Sequence, residues 1–264
     1  MTCASGHSAP SNPPPLGHNG PPLRGDLSLV HNPSVVRFAS YVTGEYLPPA
    51  SATIALFLPC SAEKPYSNSR THRAVGRALS TLPRAIYSSI HCLTVSEPLG
   101  IVPCELEALY PAAHYDLALP CWFDANGNGN RQISTRRKAG ARASTTGKRS
   151  LRLNEKNDLV AIGDRVAAFL LGPGRRYVAY VGYLRGTQRE IMERAATAAK
   201  VTVDYPVDRL RREAPQVLVG TRWAFNGLRL PETLKHLEGA LRSASGAGED
   251  VQGLRASPPL GPHP

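Results

Sequence analysis

The sequence is short of acid. Against 31 lysines and arginines stand 20 aspartates and glutamates, a formal net charge of +11 over 264 residues. An excess of that sign favours a polyanionic partner. Cysteine is scarce as well. The five present, Cys3, Cys60, Cys92, Cys104 and Cys121, are odd in number, and no two stand at a metal-pair spacing such as C-x-x-C. A disulfide framework and a structural zinc site are therefore not expected, and a reducing cytosol fits this usage best. Long apolar runs are also missing. No stretch approaches the roughly 18 residues of a membrane-spanning helix, and the N-terminus has no apolar signal core. The expectation is a cytoplasmic protein with no membrane partner, no metal and no cofactor.

Proline and glycine are plentiful, at 24 and 23, but they crowd the two ends. Such composition cannot bury enough apolar surface to offset the entropy of ordering. Residues 1–34 and 244–264 are accordingly read as disordered tails around a folded unit at 35–243. Within that unit Ala52–Leu58 is a continuous apolar run of the kind buried on both faces of a parallel sheet. A helix is expected from near Thr71, a strand at Ser89–Val95 and a short helix around Glu105–Leu109. Beyond them come a helix at Asp158–Leu171, a strand at Tyr177–Val181, a helix at Thr187–Lys200, a strand at Gln216–Val219 and a helix at Pro231–Arg242. Alternating strands and helices predict an α/β three-layer sandwich with a mainly parallel sheet. Ligands of such sheets bind beyond the carboxyl ends of the strands, where Cys60 and Ser96 fall. The segment 126–152 interrupts this pattern with seven cations and no acid between Arg131 and Arg149. Arg131, Arg136, Arg137, Lys138, Arg142, Lys148 and Arg149 read either as a solvated excursion or as an arm that tracks phosphates.

Two segments concentrate reactive side chains. The first runs Pro59-Cys60-Ser61-Ala62-Glu63-Lys64-Pro65-Tyr66-Ser67-Asn68-Ser69-Arg70-Thr71-His72. Cys60 is a candidate nucleophile, Lys64 a phosphate clamp or proton donor, and His72 a general base. The plainer reading is a polar loop with a buried structural cysteine. The second runs from Ser96-Glu97-Pro98-Leu99-Gly100 through Cys104-Glu105-Leu106-Glu107 to His114-Tyr115-Asp116. Gly100 permits close backbone approach to a ligand. Glu105, Glu107 and Asp116 offer carboxylates that can accept from the N–H groups of a guanine-like base. The plainer reading is that Glu105 and Glu107 simply begin a helix, where acids favour the dipole; it weighs as much as the functional one for Glu107, whereas Glu105 and Asp116 lean functional.

Together PCSAEKPYSNSRTH and SEPLGIVPCELEALYPAAHYD resemble the catalytic domain of the archaeosine synthase family. The resemblance implies a uracil-DNA-glycosylase-like fold and a substrate that is 7-cyano-7-deazaguanine, or a close relative, held in nucleic acid. It carries Cys60, Ser61, Lys64, Tyr66, Ser69 and His72 from the first motif and Gly100, Glu105 and Asp116 from the second. Cys60, Lys64, His72, Asp116 and Glu105 are thereby expected to be catalytic. Ser61, Tyr66, Ser69, Ser96 and Gly100 are expected to bind substrate. Glu97 departs from the family, which usually shows a small hydroxyl residue before the proline.

Three functions follow as expectations. The first is a transglycosylase that exchanges guanine for 7-cyano-7-deazaguanine in DNA, a use that a basic chain of bacterial or phage source would suit; a phage enzyme would act in the host cytoplasm. The second is addition of an amine such as lysine to the nitrile of a deazaguanine already in tRNA. The third is a non-catalytic module that reads a modified base. DNA is the favoured partner and tRNA the alternative.

Overall fold

The computed structural model describes residues 20–117, 153–218 and 227–255. In chain order the strands and α-helices are β1 (Leu23–Gly25), α1 (Pro33–Gly44), β2 (Ile54–Pro59), α2 (Arg70–Leu79), α3 (Arg84–Ser89), β3 (Ile90–Ser96), β4 (Gly100–Pro103) and β5 (Tyr115–Leu117), followed by α4 (Leu153–Leu171), β6 (Ala179–Gly182), α5 (Gly186–Ala199), α6 (Pro206–Glu213) and α7 (Pro231–Arg255).

The central sheet has the order β4-β3-β2-β6. β2 runs parallel to β3 and to β6, whereas β4 returns antiparallel to β3. Every residue of β2 and β3 is buried, which suits the uninterrupted apolar sequence of β2, while β3 carries His91, Thr94 and Ser96 buried among its apolar residues. Side chains alternate between two cores. Ala55, Phe57, Leu93 and Val95 join one with α1, α4 and α5. Ile54, Leu56, Leu58, Ile90 and Cys92 join the other with α2 and α7. The expected α/β sandwich is therefore present, with one antiparallel strand making the sheet mixed.

Three local readings need correction. Residues assigned to the N-terminal tail are packed: β1 pairs in parallel with β5, placing Leu23 opposite Tyr115 and Arg24 opposite Asp116. Asp26 then caps a 3₁₀ turn at Leu27–His31 that buries Leu27 and Val30. Asn32 caps α1 by accepting from the Ser34 N–H, with Pro33 in the first turn. Proline and glycine density concealed these caps. At the other end α7 continues to Arg255, past the expected boundary at 243. The strand expected at Gln216–Val219 is a 3₁₀ turn over Pro215–Leu218. Its leading proline suits a helical first turn, and the outer edge of β6 is already met by a Val181–Asp204 bridge.

The N-terminal packing gives a direct test. Leu27→Ala should lower unfolding free energy in a denaturant titration by about 2–5 kcal/mol, the usual cost of emptying a buried leucine site. A tail residue would show no change.

Candidate active site

The parallel register sets the site. Pro59 pairs with Val95, and Phe57 with Gly182, so β2, β3 and β6 end at one edge of the sheet. The residues that follow converge there: Cys60 after β2, Glu97 after β3, and Gln188 in the first turn of α5 after β6. The Cys60 thiol donates to Glu97 Oε2 at 3.0 Å. Gln188 Nε2 donates to both Glu97 oxygens, at 2.9 and 3.0 Å, and lies 3.4 Å from Cys60 Sγ. Glu97 and Gln188 are both buried. Burial and the Glu97 charge push the Cys60 thiol well up, with Lys64 acting against them. The thiol thus keeps its proton at rest and has a carboxylate in contact to receive it.

Lys64 lies over two aromatic rings, 5.0 Å from the centroid of Tyr66 and 4.2 Å from that of Tyr115. Its ammonium also donates to the Ser61 carbonyl. Burial lowers the Lys64 pKa, opposed by the charges of Cys60, Asp116 and Glu97. Beneath it three buried hydroxyls close a ring. Tyr66 donates to Ser96 at 3.1 Å, and Tyr115 stands 2.7 Å from each. Burial pushes both phenols up, so they remain donors. Asp116 follows Tyr115 and is exposed, near enough for its charge to act on Lys64.

The remaining expected site residues play other parts. His72 is buried and stacks on Tyr66 with ring centroids 5.9 Å apart, and its Nε2 meets the Pro59 carbonyl at 2.8 Å. Burial lowers its pKa to about 4, so the neutral ring donates and fixes the end of β2 rather than accepting a substrate proton. Ser69 is the N-cap of α2, accepting from the His72 N–H. Ser61 Oγ donates to the Glu63 carbonyl at 2.7 Å. Gly100 has φ +90°, and a Cβ there would lie 3.0 Å from Arg165 Cβ, so packing against α4 requires glycine. Arg165 in turn donates to the Pro98 carbonyl at 2.8 Å and holds that turn. Glu107 accepts from the Ser67 N–H at 3.1 Å.

Glu105 is the clearest departure from expectation. Because β4 reverses direction, Glu105 comes to lie beside His91 at the start of β3. His91 and Ser96 are separated by five residues of strand, about 16 Å. There Glu105 accepts from Tyr46 and sits 3.0 Å from His91, whose other nitrogen meets Tyr177. Burial acts to lower the His91 pKa, but Cys104 and Glu105 overcome it and raise it; burial likewise opposes ionisation of Glu105, and His91 and Tyr46 overcome it. The result is a buried ion pair. With Cys104 it gathers three donor types within 4.8 Å, each already engaged with its neighbours. The cations Arg131, Arg136, Arg137, Lys138, Arg142, Lys148 and Arg149 lie outside the described residues.

Two site residues escape a reading of the sequence. Glu97 stands inside the second motif, where it shows only as a departure from the family. Gln188 belongs to no motif; its one signal is its place at the start of a helix that follows a strand.

Comparisons with known proteins come from the same part of the chain. Residues 35–129 match a domain of unknown function, DUF5591. The archaeosine synthase subunit alpha of Thermoplasma acidophilum is 43% identical over 96 residues, 36% of this chain and 18% of that one. The corresponding subunit of Methanosarcina acetivorans is 44% identical over 90 residues, 34% of this chain and 14% of its own. The archaeosine synthase of Haloferax volcanii is 42% identical over 82 residues, 31% and 13% of the two chains. This segment of the chain is thus archaeosine-synthase-like, and it spans less than a fifth of those relatives. Cys60, Lys64, Glu97 and Asp116 fall within residues 35–129, whereas Gln188 lies beyond them. Among solved structures AF0587, a protein of unknown function, aligns at a TM-score of 0.43 and 17% identity, covering 77% of this chain and 49% of that one.

Two measurements probe this arrangement. Alkylation of Cys60, followed by peptide mass spectrometry across pH, should begin at lower pH in Glu97→Gln, because the charge that holds the proton is gone; an unmoved profile would contradict the pairing. Glu105→Gln should leave that profile alone and cost about 3–5 kcal/mol of stability at mildly acidic pH by stranding a buried imidazolium. His91 has a raised folded-state pKa, so its contribution is full below the ordinary imidazole range and is lost as pH rises through the raised value. The gap between wild type and variant should therefore narrow on the alkaline side.

Proposed function

We propose that the chain modifies a 7-deazaguanine-type base in nucleic acid by adding an amine to the nitrile of 7-cyano-7-deazaguanine, with tRNA as the carrier. The observation that carries this reading is the Cys60 thiol hydrogen-bonded to Glu97, with the Lys64 ammonium close enough for its charge to act on both. A nitrile carbon is an electrophile that a thiolate attacks and a carboxylate does not readily use. The likeness to archaeosine synthases supports the same substrate class.

The groups present balance the reaction. Glu97 takes the Cys60 proton as Sγ bonds to the nitrile carbon, and the nitrile nitrogen takes a proton from the Lys64 ammonium or from the newly protonated Glu97. This forms a thioimidate on Cys60. The incoming amine, lysine for example, attacks that carbon, and the C–S bond breaks. Protons from the amine restore Cys60 and its partners, and the product is an amidine. No electrons are exchanged with any other reactant. Gln188 holds the Glu97 carboxylate toward Cys60, and the Tyr66–Ser96–Tyr115 hydroxyls form a polar floor under Lys64.

Base exchange in DNA is the second reading, and the exposed Asp116 beside Lys64 favours it as the carboxylate that would meet a cationic sugar. Its other candidate carboxylate, Glu105, is engaged with His91 and Tyr46. Strands β3, β2 and β6 end together between helix layers, which supports the uracil-DNA-glycosylase-like arrangement that the resemblance implies. The basic segment 126–152 would add grip on the polyanion, and the catalytic unit would begin before residue 35.

The test uses the full chain, RNA carrying 7-cyano-7-deazaguanine, and lysine, with released nucleosides read by mass spectrometry. Wild type should give the lysine adduct, and Cys60→Ala should lose it by at least about 10²-fold. Insertion of free 7-cyano-7-deazaguanine into guanine-containing single-stranded DNA, damaged by Asp116→Ala but not by Cys60→Ala, would replace this reading with base exchange.

A further inference from the structure

Helix α2 begins where the Cys60–Ser69 loop ends, and its two faces differ sharply. Thr71, His72, Ala74, Val75, Ala78 and Leu79 are buried. Arg70, Arg73 and Arg77 stand on the other side, exposed, at the spacing that stacks side chains along one face. With Ala74 and Arg229 they line an open cleft of about 440 Å³ that contains no carboxylate. Among the described residues none of the three α2 arginines forms an ion pair. Three guanidinium groups along one helix face repel one another, and among the described residues none of the three is relieved by an ion pair, so the face suits an anion from outside. Arginine fits phosphate, which it can engage with two parallel N–H bonds.

We propose that Arg70, Arg73, Arg77 and Arg229 form a phosphate track for the strand that carries the modified base. Seven residues of helix separate Arg70 from Arg77, about 10 Å along the axis. At about 3.4 Å per nucleotide in one strand of a duplex, and more when extended, this spans two or three successive phosphates. The track starts at Arg70, next to the Ser69 cap, and so adjoins the end of the loop that carries Cys60 and Lys64; a strand lying along α2 would pass the end of that loop. The track rests on the nucleic-acid reading above. It differs in placing the grip on an ordered helix, apart from the basic segment 126–152.

Arg73→Gln/Arg77→Gln, changed on the full chain, tests it. Both residues are exposed, and an unaltered melting temperature will show that the fold is intact. Binding of fluorescein-labelled single-stranded RNA and DNA is followed by anisotropy across a salt series. The double variant should bind at least about tenfold more weakly at low salt, whatever the sequence, and the slope of log K against log salt should fall by about 0.7 for each phosphate no longer engaged. Lysine addition to the free base 7-cyano-7-deazaguanine, which has no phosphate, should be unchanged. Unchanged affinity and slope in the variant overturn the track even where free-base addition proceeds. Weakened binding by the variant, with no free-base addition by wild type, supports the track and overturns the reaction instead.

Discussion

A thiol and a carboxylate in contact at the end of a buried sheet are the constraint around which the candidate site is arranged. Cys60 alone would be an unreactive half-buried cysteine, because desolvation favours the protonated thiol. Glu97 raises that barrier further at rest, yet supplies the acceptor through which the proton can leave. Gln188 fixes the carboxylate by donating to both of its oxygens. The three residues come from segments far apart in sequence, and only the parallel pairing of β2 with β3 and β6 brings them to one edge.

The surroundings serve that contact. His72 donates to the Pro59 carbonyl and stacks on Tyr66, which sets the geometry of the loop that carries Cys60 and Lys64. Tyr66, Ser96 and Tyr115 satisfy one another's hydroxyls in a space too buried to leave a polar group unpaired. Arg165 braces the turn after Glu97 from α4, at a glycine where no other residue would fit the backbone or the approach. The second buried polar cluster, around His91 and Glu105, holds the far end of β3 to the segment after α1 and to the segment before β6 through Tyr46 and Tyr177. Its ion pair positions the sheet and does not face the site.

Much of the architecture was legible because β2 is apolar throughout, β3 is mostly so, and the helices after them are amphipathic. The reactive loop was legible because it leaves a buried strand and crowds unlike polar groups together. What stayed hidden has physical reasons. β4 is four residues ending in a proline and reads as a turn, and missing its reversal misplaced Glu105 by the length of β3. Leu27 and Val30 belong to a four-residue, largely apolar patch after a proline-rich run, too short to stand out, and they pack beside β1, which pairs with a strand about ninety residues later. Gln188 makes its contacts across 91 and 128 residues of chain, beyond any local pattern. Glu97 was visible, but its meaning required the position of Cys60. Glu97 is a group able to take a proton, and only its contact with Cys60 gives it one to take.

Everything proposed for the reaction turns on a bond between Cys60 Sγ and the nitrile carbon. Intact-protein mass spectrometry after mixing the chain with free 7-cyano-7-deazaguanine and no amine looks for that bond directly. A gain of one base mass is expected, mapped by proteolysis to Cys60 and much slower to form in Glu97→Gln. An unmodified Cys60 at saturating base, in protein that still binds that base, would rule the bond out.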